Sequence, residues 1–92
     1  MSEELTATVE VPNRLGLHAR AAAKLVDLAN RYESHIEVSK DDQVADAKSI
    51  MGVLLLCGHQ GAQITLRARG ADAKVALAAL CGLVAGGFGE MQ

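Results

Sequence analysis

The chain has 92 residues, which is enough for one small domain with a single hydrophobic core but not for a second lobe. Half of its residues are apolar, yet it contains one Phe, one Tyr and no Trp, so the core must consist mainly of Leu, Val, Ile and Ala. Its formal net charge of −2, with both signs mixed along the chain, argues against a nucleic-acid binder, which needs a basic surface to neutralise phosphates.

The apolar segments and the cysteines indicate the compartment. The N-terminal sequence MSEELTATVE has no basic region and no apolar run, so no signal peptide is predicted, and the apolar stretch around Val53 to Cys57 is too short to span a bilayer. Cys57 and Cys81 match no metal-ligand spacing and are too few for a disulfide scaffold, and a disulfide between them is the less favoured alternative. We predict a soluble cytoplasmic protein without a metal site or a cofactor.

The first predicted elements are a strand and a helix. Apolar residues alternate with polar ones over residues 5–11, which predicts a half-buried strand that ends at Pro12 and Asn13. A loop follows over residues 14–17. From Ala19 to about Arg31 the apolar residues recur at helical spacing, and one helical face carries Ala22, Leu25, Val26 and Ala29.

The middle of the chain predicts two short strands and a short helix. Residues 36–39 alternate in polarity, and Lys-Asp-Asp-Gln at 40–43 is typical of a hairpin turn leading into a third strand that ends near Ala47. This third strand has the weakest pattern of the four. Ser49 is a suitable N-cap for an apolar helix over residues 50–56.

The last elements are a strand and a helix. Residues 62–69 alternate strictly between apolar and polar, and Asp72 is predicted to cap a helix that ends at Gly86 and Gly87. The apolar stripe of this helix consists of Leu77, Leu80, Cys81 and Val84. The order β-α-β-β-α-β-α, with strands that have one apolar face, predicts a two-layer α+β sandwich.

One segment carries residues suited to phosphoryl chemistry. Arg-Leu-Gly-Leu-His-Ala-Arg at residues 14–20 places His18 where the loop meets the first helix, with Arg20 two residues later. The start of a helix has unpaired N–H groups and a partial positive charge, so it favours an anion. A neutral imidazole nitrogen can attack phosphorus, and the forked Arg20 guanidinium suits phosphate oxygens. Taken alone, His-x-Arg also fits an ordinary polar residue beside a helix start.

The wider pattern Asn-x-Leu-Gly-Leu-His-Ala-Arg-Ala-Ala, starting at Asn13, closely resembles the histidine-containing phosphocarrier proteins (HPr) of the bacterial phosphoenolpyruvate-dependent phosphotransferase system. The resemblance runs from about Leu5 to Phe88. It implies one domain over residues 1–92, an open-faced sandwich in which three helices cover one face of a four-stranded antiparallel sheet. It also implies that Enzyme I phosphorylates the δ1 nitrogen of His18, with phosphoenolpyruvate as ultimate donor, and that an Enzyme IIA protein or domain accepts the phosphoryl group.

The resemblance also assigns roles near His18. Arg20 takes the family position that assists transfer, and Gly16 fits a flexible approach to the active loop. The family usually has Pro after the Arg, whereas this chain has Ala21, which keeps an N–H and costs about 0.4–1 kcal/mol relative to a compatible Pro. We expect transfer to be retained because His18 and Arg20 are present. The helix start and the choice of partner are the properties that this departure puts in question.

Ser49 is the second candidate site. Its structural interpretation is a helix cap. Lys48-Ser49-Ile50-Met51-Gly52-Val53 also resembles the family segment that an ATP-dependent kinase phosphorylates in some bacteria, and a phosphate there would add negative charge to an apolar docking face. Such a face around His18 is predicted because not every apolar residue of one short helix can point inward. The predicted docking residues are Arg14, Leu17, Lys24, Lys48, Ile50, Met51 and Leu54.

The leading hypothesis is therefore a monomeric phosphoryl carrier, not an independent enzyme. Its expected partners are Enzyme I, Enzyme IIA proteins, an HPr kinase/phosphorylase and regulatory proteins. The alternative is a regulatory binding module controlled by phosphorylation of Ser49, and a degenerate paralogue is the third possibility. His35 opens a strand and His59 lies in a Gly-rich loop, so both are expected to be solvated. Cys57 and His59 alone form no complete set of metal ligands.

Overall fold

The computed structural model describes residues 3–90. In chain order, its elements are β1 (Glu3–Glu10), α1 (Ala19–Ala29), β2 (His35–Lys40), β3 (Gln43–Asp46), α2 (Ile50–Leu55), β4 (Gln63–Gly70), α3 (Ala73–Ala85) and a 3-10 turn (Gly87–Gly89). The predicted order of elements is confirmed. Within residues 3–90, no helix is long and apolar enough to cross a membrane.

The four strands form one antiparallel sheet in the order β1-β4-β2-β3. The central strand β4 pairs on both sides, so that Ala68 faces Leu5 of β1 and Ile36 of β2. β3 pairs with β2 through the predicted hairpin, in which Lys40 faces Gln43 across a two-residue turn. The weakest predicted strand is therefore present, at the edge of the sheet.

One face of the sheet is buried and the other is open. Along β4, the apolar residues at alternate positions are fully buried, whereas Arg67 and Arg69 are exposed. Such alternation is what a half-covered antiparallel sheet requires. The helices cover the apolar face and supply further core residues, which include Ala22, Leu25, Val53, Ala76, Leu80 and Val84. The predicted two-layer α+β sandwich is confirmed.

The end of α3 contains an element that the sequence pattern does not reveal. Gly86 ends the helix as predicted, but the chain then turns through Gly87, Phe88 and Gly89, with φ angles of 67°, 58° and 75°. The φ angle of Phe88 lies in a region that residues other than Gly and Asn rarely adopt. The Phe88 side chain is 1% exposed. Burial of the largest apolar side chain in the core offsets this backbone strain.

Asp72 immediately precedes α3 as predicted, but its side chain does not cap that helix. The carboxylate instead accepts hydrogen bonds from the backbone N–H groups of Glu33 and Ser34, both at 2.9 Å, and from the Ser34 hydroxyl. These hydrogen bonds, with that of the Ser34 hydroxyl contributing most, hold the pKa of Asp72 below its usual range. The Asp72 carboxylate accepts two backbone N–H groups here, where a helix cap would offer it one. Asp72 therefore connects the start of α3 to the residues that precede β2.

Candidate functional site

His18 is the N-cap of α1, with extended backbone angles of φ −73° and ψ 178°. Its Nδ1 accepts the N–H of Arg20 at 3.3 Å, and its carbonyl accepts the N–H of Ala22 at 2.8 Å. About a quarter of its side chain is exposed. The ring thus lies at the positive end of a helix and is partly exposed to solvent.

The loop before His18 is held by a close approach of two backbone segments. Gly16 has φ +64°, and a Cβ at this position would lie 2.2 Å from the carbonyl oxygen of Gly58. Leu17 donates its N–H to that same oxygen at 2.7 Å. Gly16 is therefore required by a left-handed backbone and by tight packing, and not by the flexibility that the family resemblance suggested.

A carboxylate from the other end of the chain reaches His18. Glu90 Oε1 lies 2.5 Å from His18 Nε2 and accepts a hydrogen bond from Asn13 Nδ2 at 2.8 Å. Asn13 is fully buried, and the same Nδ2 also donates to the Gly16 carbonyl at 2.9 Å. The hydrogen bond to His18, supported by that to Asn13, holds the pKa of Glu90 below its usual range, so Glu90 is ionised at neutral pH.

The segment 86–90, here called the C-terminal strap, positions this carboxylate. Buried Phe88 fixes the strap in the core, and Lys24 Nζ of α1 donates to the Phe88 carbonyl at 2.7 Å. Sequence reasoning did not find Glu90, because it lies 72 residues from His18 and follows a helix-ending Gly pair that predicts only a stop. In the sequence, the feature that indicates a further buried element is Phe88, a large apolar residue between Gly87 and Gly89.

Two arginines lie close to Glu90. An open depression of about 350 Å³ is lined by Arg14, Leu15, Arg20 and Glu90. Arg14 and Arg20 are both exposed. Two guanidinium groups beside a helix N-terminus favour an anionic group at this position.

Ser49 lies where the sequence predicted, at the N-cap of α2. Its hydroxyl accepts the N–H of Gly52 at 3.2 Å, which confirms the capping interpretation. Within α2, Val53 is buried, Leu54 is half-buried against the core, and Ile50 and Met51 are 40% and 64% exposed. The apolar residues of this helix are divided between the core and the surface.

The structure corrects one of the predicted docking residues. Leu17 is only 4% exposed and packs against Gly58, so it belongs to the core. Leu15 instead is 65% exposed, because the left-handed turn at Gly16 sends the two flanking Leu side chains to opposite sides. Leu55, which was not predicted, is 67% exposed.

The basic residues among the predicted docking residues differ in the contacts that they make. Arg14 is exposed beside the depression, and Lys24 holds the strap through Phe88. Lys48 Nζ donates to the Tyr32 carbonyl at 2.7 Å.

The remaining histidines and cysteines lie apart from any ligand set. His35 and His59 are exposed, as predicted. Cys57 is an exposed free thiol, and Cys81 is a half-buried one whose pKa is raised by burial. Over the described residues 3–90, no group of three or more His, Cys, Asp or Glu side chains is arranged to hold a metal ion.

Comparisons with known proteins show the family of the chain. Residues 5–86 match the family model described as "PTS HPr component phosphorylation site". The chain is 47% identical over 78 residues to the phosphocarrier protein HPr of Cupriavidus necator, covering 85% of this chain and 88% of the relative. It is 42% identical over 87 residues to the phosphocarrier protein NPr of Shewanella violacea, covering 95% and 96%.

A solved structure gives the same result for the fold. The crystal structure of HPr-C-His from Thermoanaerobacter tengcongensis superposes with a TM-score of 0.92 at 42% identity, over 96% of this chain and 99% of that one. The family match and the fold therefore agree. The chain belongs to the HPr family of phosphocarrier proteins of the phosphotransferase system.

Proposed function

We propose that this chain accepts a phosphoryl group on Nδ1 of His18 from Enzyme I, with phosphoenolpyruvate as ultimate donor, and passes it to an Enzyme IIA protein or domain. The observation that carries the proposal is the position of Nδ1, which faces the first turn of α1 and accepts only a long, 3.3 Å hydrogen bond from Arg20 N–H. A long hydrogen bond is weak and easily exchanged. The lone pair of Nδ1 is therefore available to attack phosphorus.

The surroundings of Nδ1 suit a bound phosphoryl group. When Nδ1 becomes phosphorylated, the Arg20 N–H loses its acceptor on the ring and can donate to a phosphoryl oxygen instead. The Arg20 guanidinium is exposed at the same depression and adds a permanent positive charge. The phosphoryl group remains on a nitrogen, whose bond to phosphorus is reactive enough for onward transfer.

The proposed docking surface, here called the carrier face, joins the active loop to α2. It combines exposed apolar side chains with nearby positive charge, which favours acidic partners and speeds their encounter. Its members are Arg14, Leu15, Arg20, Ile50 and Met51. A monomeric cytoplasmic carrier would present this one face to donor and acceptor in turn.

A reconstituted relay tests the proposal. We expect Enzyme I, phosphoenolpyruvate and Mg²⁺ to label a purified Enzyme IIA protein only when this chain is also present. The reason is that transfer through His18 connects a donor and an acceptor that do not react directly. Label on Enzyme IIA in the absence of the chain, or no label in its presence with an Enzyme I proven active on another carrier, would contradict the proposal.

Two variants that each remove one positive charge test whether Arg20 takes part in transfer. Arg20→Ala removes the cation beside His18, whereas Arg31→Ala removes one that lies just beyond the C-terminal end of α1 and pairs with Asp27. Loss of a charged donor at a site of developing charge slows transfer by about 100-fold, so Arg20→Ala should be slow and Arg31→Ala should match the wild type. Equal rates for the two variants would show that Arg20 has no part in transfer.

Phosphorylation of Ser49 is the second candidate function, as a control on docking. The observation that favours it is that Ser49 directly precedes the exposed Ile50 and Met51 of the carrier face. A phosphate at this N-cap would be compatible with the helix dipole while placing about two negative charges among docking side chains. An HPr kinase/phosphorylase would be the modifying partner, and regulatory proteins would be the binding partners of the modified form.

Ser49→Asp tests this control. Asp can still cap α2, so the fold should persist, but its charge beside Ile50 should weaken binding to Enzyme I by about tenfold. Isothermal titration calorimetry measures the affinity. Thr6→Asp is the matched control, because Thr6 is exposed on β1 and pairs in register with Arg67 on the open face. Unchanged affinity for Ser49→Asp, or an equal loss for Thr6→Asp, would refute the regulatory role.

A further inference from the structure

The two ring nitrogens of His18 have partners of opposite hydrogen-bonding character. A backbone N–H can only donate, so Nδ1, facing the N–H of Arg20, must accept. An ionised carboxylate can only accept, so Nε2, facing Glu90, must carry a proton. We infer that Glu90 is a positioning residue that holds His18 in the tautomer protonated on Nε2 and thereby keeps Nδ1 free to react. This inference rests on the proposed carrier function.

Contacts of the C-terminal strap hold Glu90 in place beside His18. Asn13 is fully buried and donates to both Glu90 and Gly16, so one amide joins the strap to the active loop. Phe88 fixes the strap in the core, and Lys24 holds its backbone. The carboxylate is only 15% exposed, which limits its exchange with water. Glu90 is thus positioned by contacts that do not involve the ring.

Within the described residues 3–90, the charged groups that lie beside Glu90 and the ring are cations. Arg20 and Lys24 come from α1, and Arg14 comes from the loop before His18. Positive neighbours alone would disfavour the cationic ring that forms when Nδ1 is phosphorylated. Among the described residues 3–90, Glu90 supplies the one carboxylate in hydrogen-bond contact with His18. It therefore compensates the positive charge that develops on the ring.

The transfer step needs no proton movement in this tautomer. The lone pair of Nδ1 forms a bond to the phosphorus of the phosphorylated donor protein, and the bond between that phosphorus and the donor breaks with its electron pair returning to the donor. The ring becomes a cation that keeps its Nε2 proton beside Glu90. In the second transfer, the P–Nδ1 bond breaks, its electron pair returns to Nδ1, and a neutral imidazole leaves with the Nε2 proton unchanged.

Without Glu90, both halves of the relay become slower. The ring can then adopt the other tautomer, whose Nδ1 carries a proton and cannot attack phosphorus. The phosphorylated ring also loses its counter-charge. Loss of one partly exposed ion pair corresponds to a rate decrease of about fivefold, and the unreactive tautomer lowers the rate further.

Nitrogen-15 NMR of the imidazole tests the tautomer directly on the unphosphorylated protein. At a pH where His18 is neutral, wild type should show a proton on Nε2 only. Glu90→Ala should show both tautomers, because the acceptor is gone. Glu90→Gln keeps an acceptor oxygen without the charge, so its ring should retain the Nε2 proton. Glu33→Gln removes an exposed carboxylate elsewhere and should behave as wild type.

Transfer kinetics complete the test. We expect Glu90→Gln to lower the rate of phosphoryl transfer about fivefold, Glu90→Ala to lower it more, and both to leave the KM for Enzyme I unchanged. A purely structural strap would raise KM or alter folding without changing the tautomer. A single Nε2-protonated tautomer in Glu90→Ala with a wild-type rate would overturn the inference.

The two readouts separate this inference from the carrier function. If wild type is not phosphorylated by Enzyme I, the proposed function fails, while the tautomer populations in wild type and Glu90→Ala still decide whether Glu90 fixes the ring. If wild type is phosphorylated and the tautomer does not respond to Glu90→Ala, the carrier function stands and the role of Glu90 is refuted.

Discussion

Replacing His18 with Ala should abolish phosphorylation by Enzyme I and leave the protein folded. The imidazole is the proposed phosphoryl acceptor, and its removal costs one N-cap interaction of α1, about 0.5–2 kcal/mol of the free energy of unfolding. Intact mass spectrometry before and after incubation with Enzyme I and phosphoenolpyruvate measures the first effect. Circular dichroism with urea measures the second.

His59→Ala is the matched control, because His59 is exposed and its backbone lies beside Gly16 in the loop that precedes His18. It should gain one acid-labile phosphoryl group, as wild type does. A phosphoryl group retained in His18→Ala, or lost in His59→Ala, would contradict the assignment of the acceptor.

Gly16→Ala should both destabilise the protein and disable the carrier. A left-handed backbone costs a residue with a Cβ about 1–2 kcal/mol. The new Cβ would also lie 2.2 Å from the Gly58 carbonyl oxygen, a backbone atom that can move only with its loop. Because Leu17 binds that same oxygen, the shift should displace the segment that leads into His18. Urea denaturation and the rate of phosphorylation measure the two effects.

Gly61→Ala separates strain from the steric clash. Gly61 also has a left-handed backbone, with φ +88°, but no atom lies within 4 Å of the position of its Cβ. This control should lose stability through strain alone and should keep the transfer rate of wild type. Equal losses of stability and activity in the two variants would show that the contact between the two loops is unimportant.

Local patterns were sufficient to predict most of the fold. Alternating polarity identified β4, and the Lys-Asp-Asp-Gln turn predicted the hairpin between β2 and β3. Ser49 was predicted as the cap of α2 because its side chain acts on an amide only three residues away. Interactions between near neighbours in sequence are the ones that such patterns describe.

Tertiary contacts were beyond the reach of the same patterns. The side chain of Asp72 was expected to cap α3, but it binds donors 38 and 39 residues away. Leu15 and Leu17 have the same residue type in one loop, and only the backbone direction at Gly16 decides which of them is buried.

Glu90 illustrates the same limit at the candidate site. His18 and Arg20 follow from a short motif, whereas the carboxylate reaches His18 only because Phe88 enters the core and turns the chain back. A helix-ending Gly pair carries no information about where the following residues go. The candidate nucleophile could thus be predicted from the sequence, and the carboxylate that contacts it could not.

The most direct test of the phosphoryl carrier is to locate the phosphoryl group itself. The nitrogen-15-labelled chain is phosphorylated with Enzyme I and phosphoenolpyruvate, and one-bond coupling between phosphorus and nitrogen is measured by NMR. The proposed function predicts a single coupling, to Nδ1 of His18. Coupling to Nε2, to His35 or His59, or the absence of any phosphoryl group with an active Enzyme I, would contradict it.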